Sequence, residues 1–364
     1  MVSKEKILDG EYLDFREALE LYQECPTSEL MWLGNEVRKI KVPGNRVGWI
    51  IDRNVNITNV CYSRCQFCNF HRVPGSAEAY ITNMEEYRVK IRELFELGGD
   101  QVLLQGGMHP SLGLSFYMEL FRNLKSEFPS LKLHALGPPE IHDLAKKENA
   151  SYREVLENLL KSGMDSLPGA GAEILCDDVR KKISAAKAGS EEWLEVMRVA
   201  HEMDIPTSAT MMYGHIESPE QRIEHLFRLR EVQDEKPEGH YGFITFVPWP
   251  FQAENTRLKR NFPGDYQQNA EEYIRLIAIS RIILQNIPHL QASWLTVGLE
   301  TAQICLHAGA DDLGSIMIEE NVVSSAGASY RTNAKEIQEA ITQAGFVPRR
   351  RNQKYEDWKT PDLH

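Results

Sequence analysis

Positive charge is in deficit in this chain: 41 Lys and Arg stand against 53 Asp and Glu, a formal net charge of −12 over 364 residues. Nonspecific nucleic-acid affinity comes from a basic surface, so a chain this acidic is not expected to bind phosphate backbones. A small anion held by a few local cations stays compatible with that balance. Long apolar runs are missing too. The best candidate, 276–284, is broken by Arg281 and falls far short of the roughly 20 residues that span a bilayer, so no membrane partner is expected. The opening MVSKEKILDGEYLDF has no apolar core of the kind a secretory leader carries, which predicts a cytoplasmic address. No internal repeat, low-complexity tract or long Pro/Gly/Ser-rich linker divides the chain, and a core of this size needs no disulfide staples.

Cysteine is sparse, with six residues, and their distribution is uneven. Cys25, Cys176 and Cys305 are scattered and read as small buried hydrophobes. Cys61, Cys65 and Cys68 sit together in one segment, which in a reducing compartment points to metal or redox chemistry. Thiolates suit zinc or iron–sulfur clusters. A structural zinc site wants four ligands, usually as two separated pairs; no second CxxC exists, and His71 is the neighbour that would complete one. Three thiolates on a four-iron cluster leave one iron open to bind and reduce something. A non-catalytic zinc or iron–sulfur binding module is the alternative.

Short apolar runs at 47–51, 101–104, 131–136, 166–168, 207–212, 243–247, 291–294 and 312–316 read as buried parallel strands. Amphipathic helical patterns alternate with them at 85–97, 116–128, 152–160, 191–201, 219–232, 271–284 and 334–344. Helix punctuation agrees, with Ser151 and Ser218-Pro219 as openers and Gly98-Gly99 and Gly345 as stops. This α/β alternation predicts a (β/α)8 barrel, complete or partial, over 46–348. Residues 1–45, with apolar stripes at 18–25 and 30–40, predict a helical extension on the barrel's bottom or side, and 349–364 a C-terminal tail. Polar or flexible groups follow each strand: 56–59, Gln105-Gly106-Gly107, 134–137, 169–173, 213–215, 249–252 and 293–296. In a barrel these converge at the C-terminal mouth, where active sites sit; an open doubly wound sheet would spread them along a crevice.

The spacing CxxxCxxC, with Phe67 just before the last cysteine, resembles the signature of the radical S-adenosylmethionine (SAM) superfamily. That resemblance implies a TIM-type radical SAM barrel in which Cys61, Cys65 and Cys68 ligate a [4Fe–4S] cluster. The open iron would chelate SAM, and one electron would cleave SAM to methionine and a 5′-deoxyadenosyl radical. It also implies cofactor-binding roles: Phe67 against the adenine, Gln105-Gly106-Gly107 at the SAM amino group, Glu173 at the ribose or ammonium group, and Lys187 at the methionyl carboxylate. An electron donor such as flavodoxin or ferredoxin would be needed, and the basic triplet Arg349 to Arg351 is a candidate for docking it.

Longer stretches, among them LLQGGMHP, SLPGAGAEIL, FVPWPFQAENTRL and IEENVVSSAG, are similar to the radical SAM enzymes of futalosine-dependent menaquinone synthesis. The similarity implies a cyclase acting on a small molecule, dehypoxanthine futalosine. Hydrogen would be removed from C4′ of its ribose, and the carbon radical would add to its own benzoate ring. Aminofutalosine synthase and the deazaflavin (FO) synthase components are the alternatives. For proton acceptance the sequence offers His215, then His134, each near a strand end. For the substrate it offers Arg64 as a carboxylate partner, Ser293 and Thr296 as donors, Trp249 and Trp294 as walls, and Glu320 for sugar hydroxyls.

Overall fold

The computed structural model describes residues 4–266, 269–319, 321, 324–327 and 330–356. Its strands are β1 (Arg46–Ile50), β2 (Asp52–Asn56), β3 (Gln101–Gln105), β4 (Lys132–Ala135), β5 (Thr207–Tyr213), β6 (Phe243–Pro250), β7 (His289–Leu290), β8 (Asp312–Ser315) and β9 (Val347–Arg350). All their pairings are parallel. They fall into three ladders, β2-β3-β4, β5-β6-β7 and β8-β1-β9. Single parallel bridges, His134–Ser166, Leu167–Thr207 and Gln291–Asp312, join the ladders at their seams. The barrel expectation holds in this form: strands and outer helices follow a ring, but no continuous ladder closes it. Two of the short expected strands, 166–168 and 291–294, are reduced to those bridges.

One expected strand is in fact two. The chain from Arg46 to Asn56 bends at Ile51, so that β1 pairs with β8 and β9 while β2 pairs with β3. Its run from barrel floor to mouth covers roughly 30 Å at about 3.3 Å per residue. The seven expected helices form, and Ser151 and Ser218 each close a capping box, with Glu154 and Gln221. Pro138–Glu148, Asp177–Ile183 and Leu299–Leu306 are additional helices; the first opens on two prolines, which suit a helix's first positions.

The N-terminal extension is three helices, Lys4–Leu8, Phe15–Glu24 and Thr27–Lys41. They pack along the barrel's side, the third lying on helix Ala270–Ile283. Gly34 makes that contact possible: a Cβ there would stand 2.3 Å from the Ala308 carbonyl oxygen and 3.0 Å from the Ala278 Cα.

Residues 349–356 are not a free tail. β9 adds to β1 at the floor, and the chain then turns under the barrel. Arg351 is buried, with Nε and Nη2 at 2.6 and 2.9 Å from the two Asp312 carboxylate oxygens. Its guanidinium lies over the Tyr355 ring, which stacks at 3.7 Å on His289. His289 in turn meets Asp311, itself paired with Arg281. The triplet Arg349 to Arg351 therefore belongs to the floor, opposite the cysteine loop, and Arg351 is not available as a docking group.

Candidate active site

The loop after β2 carries all three clustered cysteines at the barrel mouth. Neighbouring backbone holds it: Gly107 N donates to the Thr58 carbonyl at 2.7 Å, Tyr62 N to Met108 at 3.1 Å and Cys61 N to Arg72 at 3.0 Å. The contact with β3's end is very close. A Cβ on Gly107 would stand 2.2 Å from the Val60 carbonyl oxygen and 2.9 Å from the Cys61 Cβ. The glycine expected to admit a ligand is thus also required to seat the loop.

The three thiols are free and line a cavity of about 410 Å³ that runs down the barrel interior. Among the described residues, no three His, Cys, Asp or Glu side chains converge as they would around a single metal ion. His71 does not complete a zinc site; its Nδ1 lies 2.9 Å from the Cys68 carbonyl. Thiols on one loop that do not share a point suit a cluster whose separate irons each take one. Burial pushes the Cys65 thiol up to about 11 against the pull of Lys187, so its thiolate wants the positive charge that such a cluster supplies.

Beside the loop, three residues expected separately come together. Lys187 Nζ is 3.0 Å from Glu173 Oε1 and 5.4 Å from the Phe67 ring centroid. Burial works against the Lys187 charge, but Cys65 and Glu173 hold it protonated well above its ordinary range. Glu173 is buried and takes the left-handed backbone region at φ +47°, a costly conformation for a residue with a Cβ. Arg180 sustains it. That buried guanidinium donates to the carbonyls of Gly171, Ala172 and Ile174 and also to Ala188 at 2.5 Å. One side chain thereby ties the Glu173 turn to the segment bearing Lys187.

Deeper in the cavity the walls are Trp249 and Trp294, with Ser293 and Thr296 flanking Trp294 in the chain. Trp294 is fixed by Nε1 donating to the Ser315 carbonyl at 3.0 Å, and Thr296 Oγ1 donates to the Ser293 carbonyl at 2.9 Å. Across the barrel, β2 contributes Asn54 and Asn56, only 6% and 3% exposed. Asn54 Oδ1 and Asn56 Nδ2 are buried without a hydrogen-bond partner. An unpaired acceptor and an unpaired donor on adjacent inward positions are expensive unless a ligand satisfies them. Glu140, in the first turn of helix Pro138–Glu148, also lines the cavity with Oε2 unpartnered. Burial pushes its carboxyl up to about 7 despite Lys187.

Residues 55–229 match the Radical SAM superfamily, and residues 240–363 match the CofH/MqnC C-terminal region. The chain is 43% identical over 93% of its length to a cyclic dehypoxanthine futalosine synthase from Streptomyces coelicolor, covering 84% of that protein. The chain belongs to the radical SAM superfamily. It is also 37% identical, over 98% of its own length and 95% of the relative's, to an aminodeoxyfutalosine synthase from Thermus thermophilus. Among solved structures, methylornithine synthase shares the fold with a TM-score of 0.72 at 18% identity, covering 96% of this chain and 97% of the other. The family's cofactors are a [4Fe–4S] cluster and SAM, and the thiol loop fits the first of these. Among the described residues, no helix is long and apolar enough to cross a membrane.

The other expected residues of this radical SAM chain differ in where they lie. His215 does not line the cavity. Its ring folds back, with Nε2 3.1 Å from the Met212 carbonyl and Nδ1 3.0 Å from Glu217, so it organises the turn after β5. His134 does line the cavity, but its Nδ1 is 2.7 Å from Ser166 Oγ, and burial, then Arg351, push it down to about 3. A ring so hard to protonate can hydrogen-bond, but it is a poor proton acceptor near neutrality. Arg64 is exposed at φ +50° and does not line the cavity; the loop's tight turn carries its side chain outside. Glu320 lies outside the described residues. Sequence reasoning missed Asn54, Glu140 and Arg180, and gave Asn56 only as one of the polar groups past a strand end. The PPE segment at a strand end was the one available signal, for Glu140.

Proposed function

We propose that this protein is a radical SAM cyclase that converts dehypoxanthine futalosine to its cyclic form in menaquinone synthesis, in the cytoplasm. The observation that carries this reading is the 43% identity, over nearly the whole chain, to a cyclic dehypoxanthine futalosine synthase, joined to a thiol loop that opens on a deep, partly polar cavity. Cys61, Cys65 and Cys68 would hold the cluster. With SAM bound there, the cluster supplies the one-electron cleavage whose 5′-deoxyadenosyl fragment takes a hydrogen atom.

The chain's own residues position and enclose. Gly106 and Gly107 let β3 meet the loop closely, while Phe67, Glu173 and Lys187 form the charged and aromatic wall facing SAM. Gln105 lines the same mouth. Trp249 and Trp294 flank the aryl ring, and Ser293 and Thr296 face its oxygens. Asn54 and Asn56 offer one acceptor and one donor, the complement of a sugar hydroxyl pair. The substrate loses one hydrogen atom from C4′ and closes a C–C bond to its benzoate ring. The cyclised ring then gives up one proton and one electron, the electron to an external one-electron acceptor or to the centre that the three cysteines would hold. Glu140 is our assignment for the proton: its side chain lines the cavity, its Oε2 has no hydrogen-bond partner and burial pushes its carboxyl up to about 7.

Anaerobic incubation with SAM, dithionite and dehypoxanthine futalosine tests the reading by mass spectrometry. The expected product is the substrate less two hydrogens, accompanied by 5′-deoxyadenosine. A product that joins two organic substrates would assign the chain to the aminofutalosine or deazaflavin reactions instead, and absence of 5′-deoxyadenosine would remove the radical chemistry altogether.

A further inference from the structure

The outer side of the cysteine loop is bound to two other segments through Gln66. Its amide donates to the Ile183 carbonyl at 2.8 Å, its carbonyl accepts from Leu258 N at 2.9 Å, and its side-chain oxygen accepts from Asn261 at 2.8 Å. Arg257 Nη2 adds contacts to the carbonyls of Arg64 and Cys65. Residues 64–68, 181–183 and 257–261 thus make one continuous surface directly outside Cys65. They carry Arg64, Lys181, Lys182, Arg257, Lys259 and Arg260, and no Asp or Glu. All but the half-buried Arg257 are exposed.

None of these six cations has a carboxylate partner among the described residues, whereas cations elsewhere in the fold do: Lys187 pairs with Glu173, Arg198 with Glu235 and Arg228 with Glu191. Acid is plentiful in this chain, yet it is absent from these three segments. A concentrated unpaired positive field on a molecule of net charge −12 attracts an acidic partner to one face and repels it from the rest.

We propose that this collar docks a small acidic one-electron carrier protein. Resting on the radical SAM reading above, the docking places the carrier's redox group over the cysteine loop: the carrier is oxidised by one electron, the centre held by the cysteines is reduced by one, and no proton moves. The collar takes the role that the sequence suggested for Arg349 to Arg351, which the fold puts at the other end of the barrel.

The test uses the full-length, cluster-loaded protein and an acidic flavodoxin as probe. Two double variants, Lys181→Glu/Lys182→Glu and Lys259→Glu/Arg260→Glu, are compared with the parent and with an Arg349→Glu control. Calorimetry measures flavodoxin binding at about 0.05 and 0.3 M salt, and 5′-deoxyadenosine formation is driven either by reduced flavodoxin or by dithionite. Expected are a loss of flavodoxin affinity of about tenfold or more in each double variant, a comparable weakening of the parent by salt, no change in the control, and dithionite-driven rates within about twofold of the parent. Unchanged flavodoxin binding in both double variants overturns the proposal. So does an equal fall in the dithionite-driven rate, which would mean that the collar shapes the site rather than docking a carrier. If the parent itself forms no 5′-deoxyadenosine with dithionite, the radical SAM reading fails, and the binding titration still decides the collar.

Discussion

Gly107 shows how much one missing Cβ can control. The loop it touches carries three thiols, and the clearance to Val60 leaves no room for a methyl group. Gly107→Ala is expected to push the cysteine loop off β3, lowering stability by about 1–3 kcal/mol and iron content after reconstitution to below about half of the parent's. Iron assay and thermal unfolding check this; full iron loading in the variant would show that the loop is seated by other contacts. The cysteines themselves were legible because their chemistry is written in their spacing. Arg180 was not, since it acts through backbone carbonyls that only the fold brings to it. His215 was misread for a related reason: a strand end places a residue at the mouth, but nothing in spacing says that its ring will turn back onto Glu217 and Met212. Asn54 was hidden by composition, because asparagine is depleted in strands, and Asn56 stood out only as a polar group past a strand end.

At the scale of elements, the first strand and the last explain one another. β1 needs partners on both sides at the floor and takes β8 and β9, leaving β2 to pair with β3 above the bend at Ile51. β9 escaped notice because VPRR is short, polar and contains a proline, which is tolerated in an edge strand. Its docking is locked by the buried Arg351–Asp312 pair. Removing one partner of such a pair strands a buried charge and costs about 3–5 kcal/mol. Arg351→Met is therefore expected to destabilise by that order, and Arg351→Met/Asp312→Leu to recover much of the loss. Denaturant unfolding of the two single variants and the double supplies the cycle; additive losses would mean that the pair is not coupled. The apolar runs and helical stripes foretold most elements, whereas bends, edge additions and helices opening on prolines came from tertiary context.

At the scale of the whole molecule, the N-terminal helices are part of the barrel rather than an appendage. Helix Ala270–Ile283 is buried almost all round, as expected of a helix covered on both sides, and Thr27–Lys41 supplies the outer cover through Leu30, Leu33 and Val37. A chain lacking residues 4–41 is expected to expose that apolar face and to elute as aggregate in size-exclusion chromatography. A monomeric truncation with an unchanged melting temperature would contradict this. The floor has a consequence of another kind. With Arg351 and Gln353 at the base of the cavity and the thiols at its mouth, the barrel is a cup and not a pipe. Whatever lodges against Asn54 has to enter before the rim is occupied and leave after it is cleared, so the order of binding and release is imposed by architecture rather than by affinity.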